Sequence, residues 1–372
     1  MGKRDNGLRD RSAASRLPTV TIPFADNSAA SAIERLTRGE RLGEELTTRA
    51  FRQLMNGEAT PVQISALLVG LRVQGETGEE VAGAVRAMRD AMVRVSPGDR
   101  SHLIDTCGTG GGTVPTFNVS TAAAVIAVAA GATVAKHGNR SFTSKCGSAD
   151  VLEVLGVELS IEPARAASLL DTTGMVFLFA QVFHPAMRHV APVRKELGVP
   201  TIMNLLGPLS NPAGVQRQVV GVADPRWAPL VAEALRRLGV THALVVHGEV
   251  GMDEIAPRGR TAVWEIRDGR VETWGLEPRT YGLEVDDLGT LVGGEPRQNA
   301  DRIRRLFERP GADRAGRAAV LLNAAAGLYV AGIANDFADG VARAEEALER
   351  GGAREALERF IAAAGKVGAG TT

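Results

Sequence analysis

One stretch constrains this chain more than any other, residues 105–150: DTCGTGGGTVPTFNVSTAAAVIAVAAGATVAKHGNRSFTSKCGSAD. Four glycines fall between Gly108 and Gly112, followed by Thr113, Thr116, Asn118, Ser120 and Thr121. An alanine-rich apolar run over 122–130 comes next. Glycines let a backbone turn tightly and approach a ligand closely. The hydroxyls and the start of the following helix add donors, and a helix N-terminus favours an anion. A second polar cluster over 136–144 supplies Lys136, Asn139, Arg140, Ser141, Thr143 and Ser144. Together the two clusters form a cradle for several phosphates. A hydrogen bond to a charged group contributes about 1.5–3 kcal/mol, so a few hold a polyphosphate. The loop is not a Walker motif, because no Gly-Lys-Ser/Thr closes it. It also lacks the last glycine of the dinucleotide fingerprint.

The rest of the chain sets that cradle in an α/β architecture. Residues 31–98 read as helices only, a small bundle. Thr60-Pro61-Val62-Gln63 places a capping hydroxyl, a first-turn proline and a glutamine, and Thr77 with Glu80 repeats the capping pair. Val81, Val85, Met88 and Met92 recur at helical spacing. From residue 99, short apolar runs (103–104, 132–135, 175–180, 219–222, 243–246) alternate with helical segments at 121–130, 149–155, 163–170, 185–197 and 226–238. That alternation predicts a mostly parallel sheet covered by helices. Residues 262–266 and 271–274 around Asp268-Gly269 predict a late hairpin, and helices are expected near 297–309, 314–332, 340–349 and 352–364. The glycine loop then follows a strand's carboxyl end, where open α/β sheets bind ligands.

Composition removes several functions. At 372 residues the chain is long enough for a large core, with two domains expected. Lys plus Arg balance Asp plus Glu at 43 each, so no electrostatic bias favours nucleic acid or an acidic membrane. No uninterrupted apolar run is long enough to span a bilayer. Two cysteines, Cys107 and Cys146, make no disulfide framework and indicate a reducing, cytoplasmic setting. Residues 1–30 and 366–372 read as tails outside the folded part.

Other residues leave two readings open. Asp253 and Glu254 follow the 243–246 run. They fit either a solvated surface pair or ligands of a magnesium ion shared with phosphates. Arg188, Arg194 and Lys195 fit either a solvated helix face or, for Arg194, a guanidinium aimed at a planar carboxylate. His184 and His189 have no partners at metal-ligand spacing and read as structural; Cys107 reads as inert.

The motifs together resemble the anthranilate phosphoribosyltransferase family over residues 31–365. They are Asp105-Thr-Cys-Gly-Thr-Gly-Gly, Thr116-Phe-Asn-Val-Ser-Thr121, Lys136-His-Gly-Asn-Arg140, Gly147-Ser-Ala-Asp150, His184-Pro-Ala-Met187, Asn204-Leu-Leu-Gly-Pro-Leu-Ser-Asn-Pro212, Met252-Asp-Glu-Ile255 and Asn323-Ala-Ala-Ala-Gly. The resemblance implies a small helical domain over 31–98, with a helical return near 185–203, hinged to an α/β domain over 99–365. It also implies a homodimer through the helical domain. The implied reaction moves a phosphoribosyl group from phosphoribosyl pyrophosphate to anthranilate, a step of tryptophan synthesis. Carried over, Gly108, Gly111, Gly112, Thr116, Asn118, Val119, Ser120, Thr121, Lys136, His137, Gly138, Asn139, Arg140, Ser144 and Ser148 hold the sugar donor. Gly108, Asn139 and Arg194 contact anthranilate, and Lys136, Asn139 and Arg194 are the catalytic candidates. Ser120, Asp253 and Glu254 bind magnesium, with two ions expected.

The chain departs from the family pattern at Gly112-Thr113, where aspartate and glycine are usual, and at Pro200 and Met203, where arginine and phenylalanine are common. The alternatives are a pyrimidine nucleoside phosphorylase-like enzyme, against which the Thr116-Phe-Asn118 and Asn204-Leu-Leu-Gly207 motifs speak, and a non-catalytic nucleic-acid-binding relative.

Overall fold

The computed structural model describes residues 27–141 and 145–365. Seven strands form one sheet: β1 (Leu103–Gly108), β2 (Thr133–Gly138), β3 (Met175–Phe179), β4 (Arg217–Gly221), β5 (His242–Gly248), β6 (Thr261–Arg267) and β7 (Arg270–Leu276). Their order is β3-β2-β1-β4-β5-β6-β7; the first five are parallel, and β6 and β7 run antiparallel. The chain winds outward from β1 to β3, then returns to place β4 against the other side of β1. Strand order therefore reverses between β1 and β4, which is where such sheets open a crevice at their carboxyl ends. Gly108 and Gly221 pair across that point. The expected hairpin forms, and Asp268 and Gly269 both take positive φ, as a tight two-residue turn requires.

The first four helices are α1 (Ser28–Thr37), α2 (Gly43–Asn56), α3 (Pro61–Gln74) and α4 (Gly78–Asp90). Both capping boxes form: the Thr60 and Thr77 hydroxyls each accept a third-residue N–H at 3.2 Å, and Gln63 and Glu80 accept the cap N–H groups at 2.9 Å. α1 begins at Ser28, inside the segment expected to be tail. The rest of that expectation, with 366–372, lies outside the described residues. Among the described residues eleven helices follow: α5 (Val119–Ala129), α6 (Ser148–Leu155), α7 (Pro163–Thr173), α8 (Ala180–Phe183), α9 (Ala191–Leu197), α10 (Met203–Leu209), α11 (Ala228–Arg237), α12 (Pro296–Glu308), α13 (Arg314–Ala331), α14 (Phe337–Glu349) and α15 (Gly352–Ala364). The helix expected over 185–197 divides into a 3-10 segment, Pro185–His189, and α9. Pro192 has no N–H for the carbonyl one turn back, so the ladder cannot run through it.

Strand alternation sends the two faces of the sheet to two cores. Val219, Leu244 and Val246 join α5 and α13 residues in one. Val220, Val222, Ala243 and Val245 join α2, α3, α4 and α11 in the other. Val190, Val193, Ile202, Met203 and Leu206 belong to that second core, so the helical return is cemented to the bundle and to the sheet together. Met203 is buried there, and Pro200 is exposed.

Candidate active site

The glycine loop leaves β1 at the switch point and is met there by the loop after β5. Gly110 and Gly111 take φ of +70° and +86°, a left-handed region that favours glycine. The Gly110 N–H donates to Asp253 Oδ2 at 2.9 Å. The Ser120 N–H donates to Glu254 Oε1 at 3.2 Å, and the Thr116 hydroxyl donates to Glu254 Oε2 at 3.1 Å. The acidic pair thus clasps both ends of the loop. Missing side chains make room for it. A Cβ on Gly108 would lie 2.8 Å from Asp253 Oδ2, and one on Gly112 would lie 2.9 Å from Oδ1. A Cβ on Gly221 would overlap the Asp253 carbonyl oxygen.

Charge in this crevice is unbalanced. Burial raises Asp253, and burial together with neighbouring Asp253 pushes Glu254 up to about 8. Asp105, on β1, is fully buried; Asn211 donates to its Oδ2 at 2.7 Å and the His137 N–H to its Oδ1 at 3.2 Å. Against these three carboxyl groups stands the Lys136 ammonium, only 1 % exposed. It donates to the Thr106 carbonyl and, at 3.2 Å, to Ser120 Oγ. Burial lowers the Lys136 pKa, while Asp105, Cys107 and Glu254 pull it back. A crevice that sets three carboxyl groups against one ammonium suits an added hard cation with oxygen ligands. Among the described residues no cluster of three or more His, Cys, Asp or Glu forms an all-protein metal cage. Two carboxyl groups are what magnesium needs when phosphates complete its shell.

The second polar loop is closed by its own acid. Asp150 Oδ2 accepts the Gly147 N–H at 2.8 Å and the Ser141 N–H at 3.3 Å. Arg140 pairs with Asp150 and Glu153, each at 2.8 Å, so its guanidinium is already committed. The Ser148 hydroxyl, at the first turn of α6, reaches the Asn139 carbonyl at 3.4 Å. Asn118 ties the two loops together. Its Nδ2 donates to the Cys146 carbonyl at 3.2 Å, and its Oδ1 accepts from Asn299 at 2.9 Å and from the Cys146 thiol at 3.3 Å. Val119 and Thr121 are buried in the first turn of α5, and Gly138 ends β2. Ser144 and Thr143 lie outside the described residues.

Two expected contributors, His137 and Arg194, make no hydrogen bond to the acidic pair among the described residues. The His137 ring bonds the Gly207 carbonyl at 3.1 Å and packs 4.9 Å from the His184 ring. Burial pushes these imidazoles down to about 3 and about 4, so neither serves as a base at neutral pH. Burial also holds the Cys107 thiol well above its ordinary value, which agrees with an inert role. Arg194, on α9, makes no ion pair or side-chain hydrogen bond among the described residues, and burial lowers its pKa.

Two family profiles divide the chain. "Glycosyl transferase family, a/b domain" matches residues 100–354, and "Glycosyl transferase family, helical bundle domain" matches 30–92. The anthranilate phosphoribosyltransferase of Anaeromyxobacter sp. (strain K) is 48% identical over 332 residues, 89% of this chain and 97% of its own. The chain belongs to the anthranilate phosphoribosyltransferase family. The crystal structure of the family member from Thermus thermophilus is 47% identical with a TM-score of 0.83, covering 89% of this chain and 98% of its own. The Saccharomyces cerevisiae enzyme in complex with phosphoribosyl pyrophosphate and magnesium is 29% identical with a TM-score of 0.81, covering 91% and 98%. Another structure of the yeast enzyme is a complex with 4-fluoroanthranilate. Gly221, Asn211, Asn299 and Asn323 also shape the site, though the sequence does not single them out. Asn211 and Asn323 lie in the 204–212 and 323–327 motifs, yet nothing in a lone amide says which backbone it will meet.

Proposed function

We propose that this chain transfers the 5-phosphoribosyl group of phosphoribosyl pyrophosphate to the amine of anthranilate, releasing pyrophosphate, in tryptophan synthesis. The observation that carries the reading is the Asp253–Glu254 pair locked onto the glycine loop at the switch point, where carboxyl groups outnumber cations. The yeast complexes support it, since one holds the sugar donor with magnesium and another a fluorinated anthranilate.

In this reading the N–H groups of the 108–112 loop and of the first turn of α5 receive the phosphates. The backbone of 138–141 and Ser148 close over the ribose from the other side. Asp253, Glu254 and the Ser120 hydroxyl hold magnesium, two ions with the donor, and the metal neutralises the departing pyrophosphate. As the C1–oxygen bond breaks, its electron pair leaves with pyrophosphate and positive charge builds on the sugar. Buried Lys136 adds fixed positive potential where negative charge grows. Arg194 takes the anthranilate carboxylate through its unpaired guanidinium, and Asn139 and Gly108 border the ring. Alignment of the amine with C1 supplies much of the remaining acceleration.

Two further parts of the reading concern assembly and place. Val62 and Val73 on α3 are 77% and 82% exposed, and with Val69 they give the bundle an apolar face suited to a second copy. The free thiols Cys107 and Cys146 support a cytoplasmic setting. Among the described residues no helix is long and apolar enough to cross a membrane.

The test is direct. Anthranilate fluorescence should fall on adding phosphoribosyl pyrophosphate with magnesium and the protein, and not when any one is omitted. Persistent fluorescence with a folded protein would remove the reading.

A further inference from the structure

The structure assigns Asn323 the job of positioning the Asp253–Glu254 pair, an assignment that rests on the metal-binding reading above. Asn323 interrupts an otherwise alanine- and leucine-rich face of α13, a helix buried on nearly every side. Asparagine is a poorer helix former than alanine, and a buried amide must find partners. This one finds two of its three in a single residue of the loop after β5. Its Nδ2 donates to the Ile255 carbonyl at 2.9 Å, and its Oδ1 accepts the Ile255 N–H at 3.0 Å. The remaining Nδ2 hydrogen goes to the Ala319 carbonyl at 2.9 Å, one turn back on its own helix.

The side-chain amide therefore stands where a neighbouring strand's peptide would stand. Among the described residues no strand lies beside the loop after β5 at Ile255, yet both main-chain groups of that residue are satisfied. Ile255 is fully buried and directly follows Glu254. With Ile255 fixed, the peptide on its amino side has little freedom, and Glu254 must present its carboxylate to Thr116 and Ser120. On the opposite side the Asp253 carbonyl rests against Gly221. The loop is held between a helix side chain and a strand end. Asn323 does not touch the carboxylates itself; it acts through the backbone that carries them. Groups of this kind, behind the ligands of a metal, set the orientation of the ligands in front.

Three variants test this: Asn323→Ala, Asn323→Asp and Leu322→Ala. The aspartate keeps an acceptor for the Ile255 N–H but sets an oxygen against the Ile255 and Ala319 carbonyls. Leu322, buried on the same helix, controls for general loss of packing. Calorimetric titration with phosphoribosyl pyrophosphate and magnesium should show affinity falling by about 10–100-fold in both Asn323 variants. Leu322→Ala should leave that affinity within about twofold, as expected of a change with no line to the ligands. In amide exchange the Ile255 N–H should lose at least about tenfold protection in Asn323→Ala, while Val245 in β5 keeps its own. The paired change Asp253→Asn with Glu254→Gln separates the two ideas. If it leaves magnesium-dependent binding intact, the metal reading fails. If it abolishes binding while the Asn323 variants bind normally, the positioning role fails. Equal losses in Leu322→Ala and Asn323→Ala, or failure of both Asn323 variants to fold, would also overturn it by making the residue a core element only.

Discussion

Arg194→Ala should separate substrate binding from stability. The Arg194 guanidinium is desolvated on α9 and has no counter-charge among the described residues. A planar fork facing a carboxylate makes two charge-assisted bonds, and together these contribute about 3 kcal/mol. At about 1.4 kcal/mol per decade the Michaelis constant for anthranilate should rise about 100-fold. The constant for phosphoribosyl pyrophosphate should stay within about twofold, because no shared contact couples the two. Alanine also relieves the protein of an unpaired, partly desolvated charge and costs only the packing of the arginine stem. The melting temperature should therefore stay within about 2 °C of the parent. Steady-state kinetics with each substrate varied, plus a thermal melt, read both quantities. Equal rises in the two Michaelis constants, or a melt lowered by many degrees, would show that Arg194 holds the fold and not the acceptor.

Other expectations follow from single contacts. Gly221→Ala should lower turnover at least about 100-fold, since its Cβ would overlap the Asp253 carbonyl and a small misplacement near the chemistry is costly; unchanged turnover would show that the 252–254 loop yields freely. Asn299→Ala should raise the Michaelis constant for the sugar donor about tenfold and spare that for anthranilate, because it frees the Asn118 amide that joins the two loops; equal effects on both would count against it. Glu265 accepts hydrogen bonds from His242 at 2.8 Å and from Trp274 and Tyr329 at 2.9 Å. Burial alone would raise its pKa, but these bonds outweigh it and hold the carboxyl below its ordinary value. A depressed folded pKa stabilises above the unfolded value of about 4.3 and loses that contribution as pH falls through the folded one. Glu265→Gln should thus melt lower than the parent at pH 7, with the gap closing in acid; a gap that widens in acid would reverse the assignment.

Much of this architecture was legible in the sequence, and the exceptions have physical causes. Strands announced themselves as apolar runs, but β1 extends past Ile104 through Asp105, Thr106 and Cys107. Those polar residues belong to a buried strand because Asn211 and the His137 N–H satisfy Asp105, and hydropathy cannot register a distant partner. α10 was hidden by Gly207-Pro208, a pair that reads as a turn yet sits inside a helix. α14 starts earlier than its apolar pattern because Asp336 caps it through the Asp339 N–H at 2.8 Å. The glycine loop and the 136–148 cluster were visible as donors in sequence. Glu254 was not visible as a half-buried acid, because its shielding comes from a loop folding across two strand ends. Nor could sequence show that the Arg140 guanidinium is occupied by Asp150 and Glu153.

The central claim is that the crevice between β1 and β4 grips one metal-bound sugar donor. Crystals soaked with phosphoribosyl pyrophosphate and manganese, a magnesium substitute with anomalous signal, test it most directly. The account predicts anomalous peaks beside Asp253, Glu254 and Ser120, with the donor between residues 108–121 and 136–148. Peaks and donor density bound anywhere else on the molecule would contradict it.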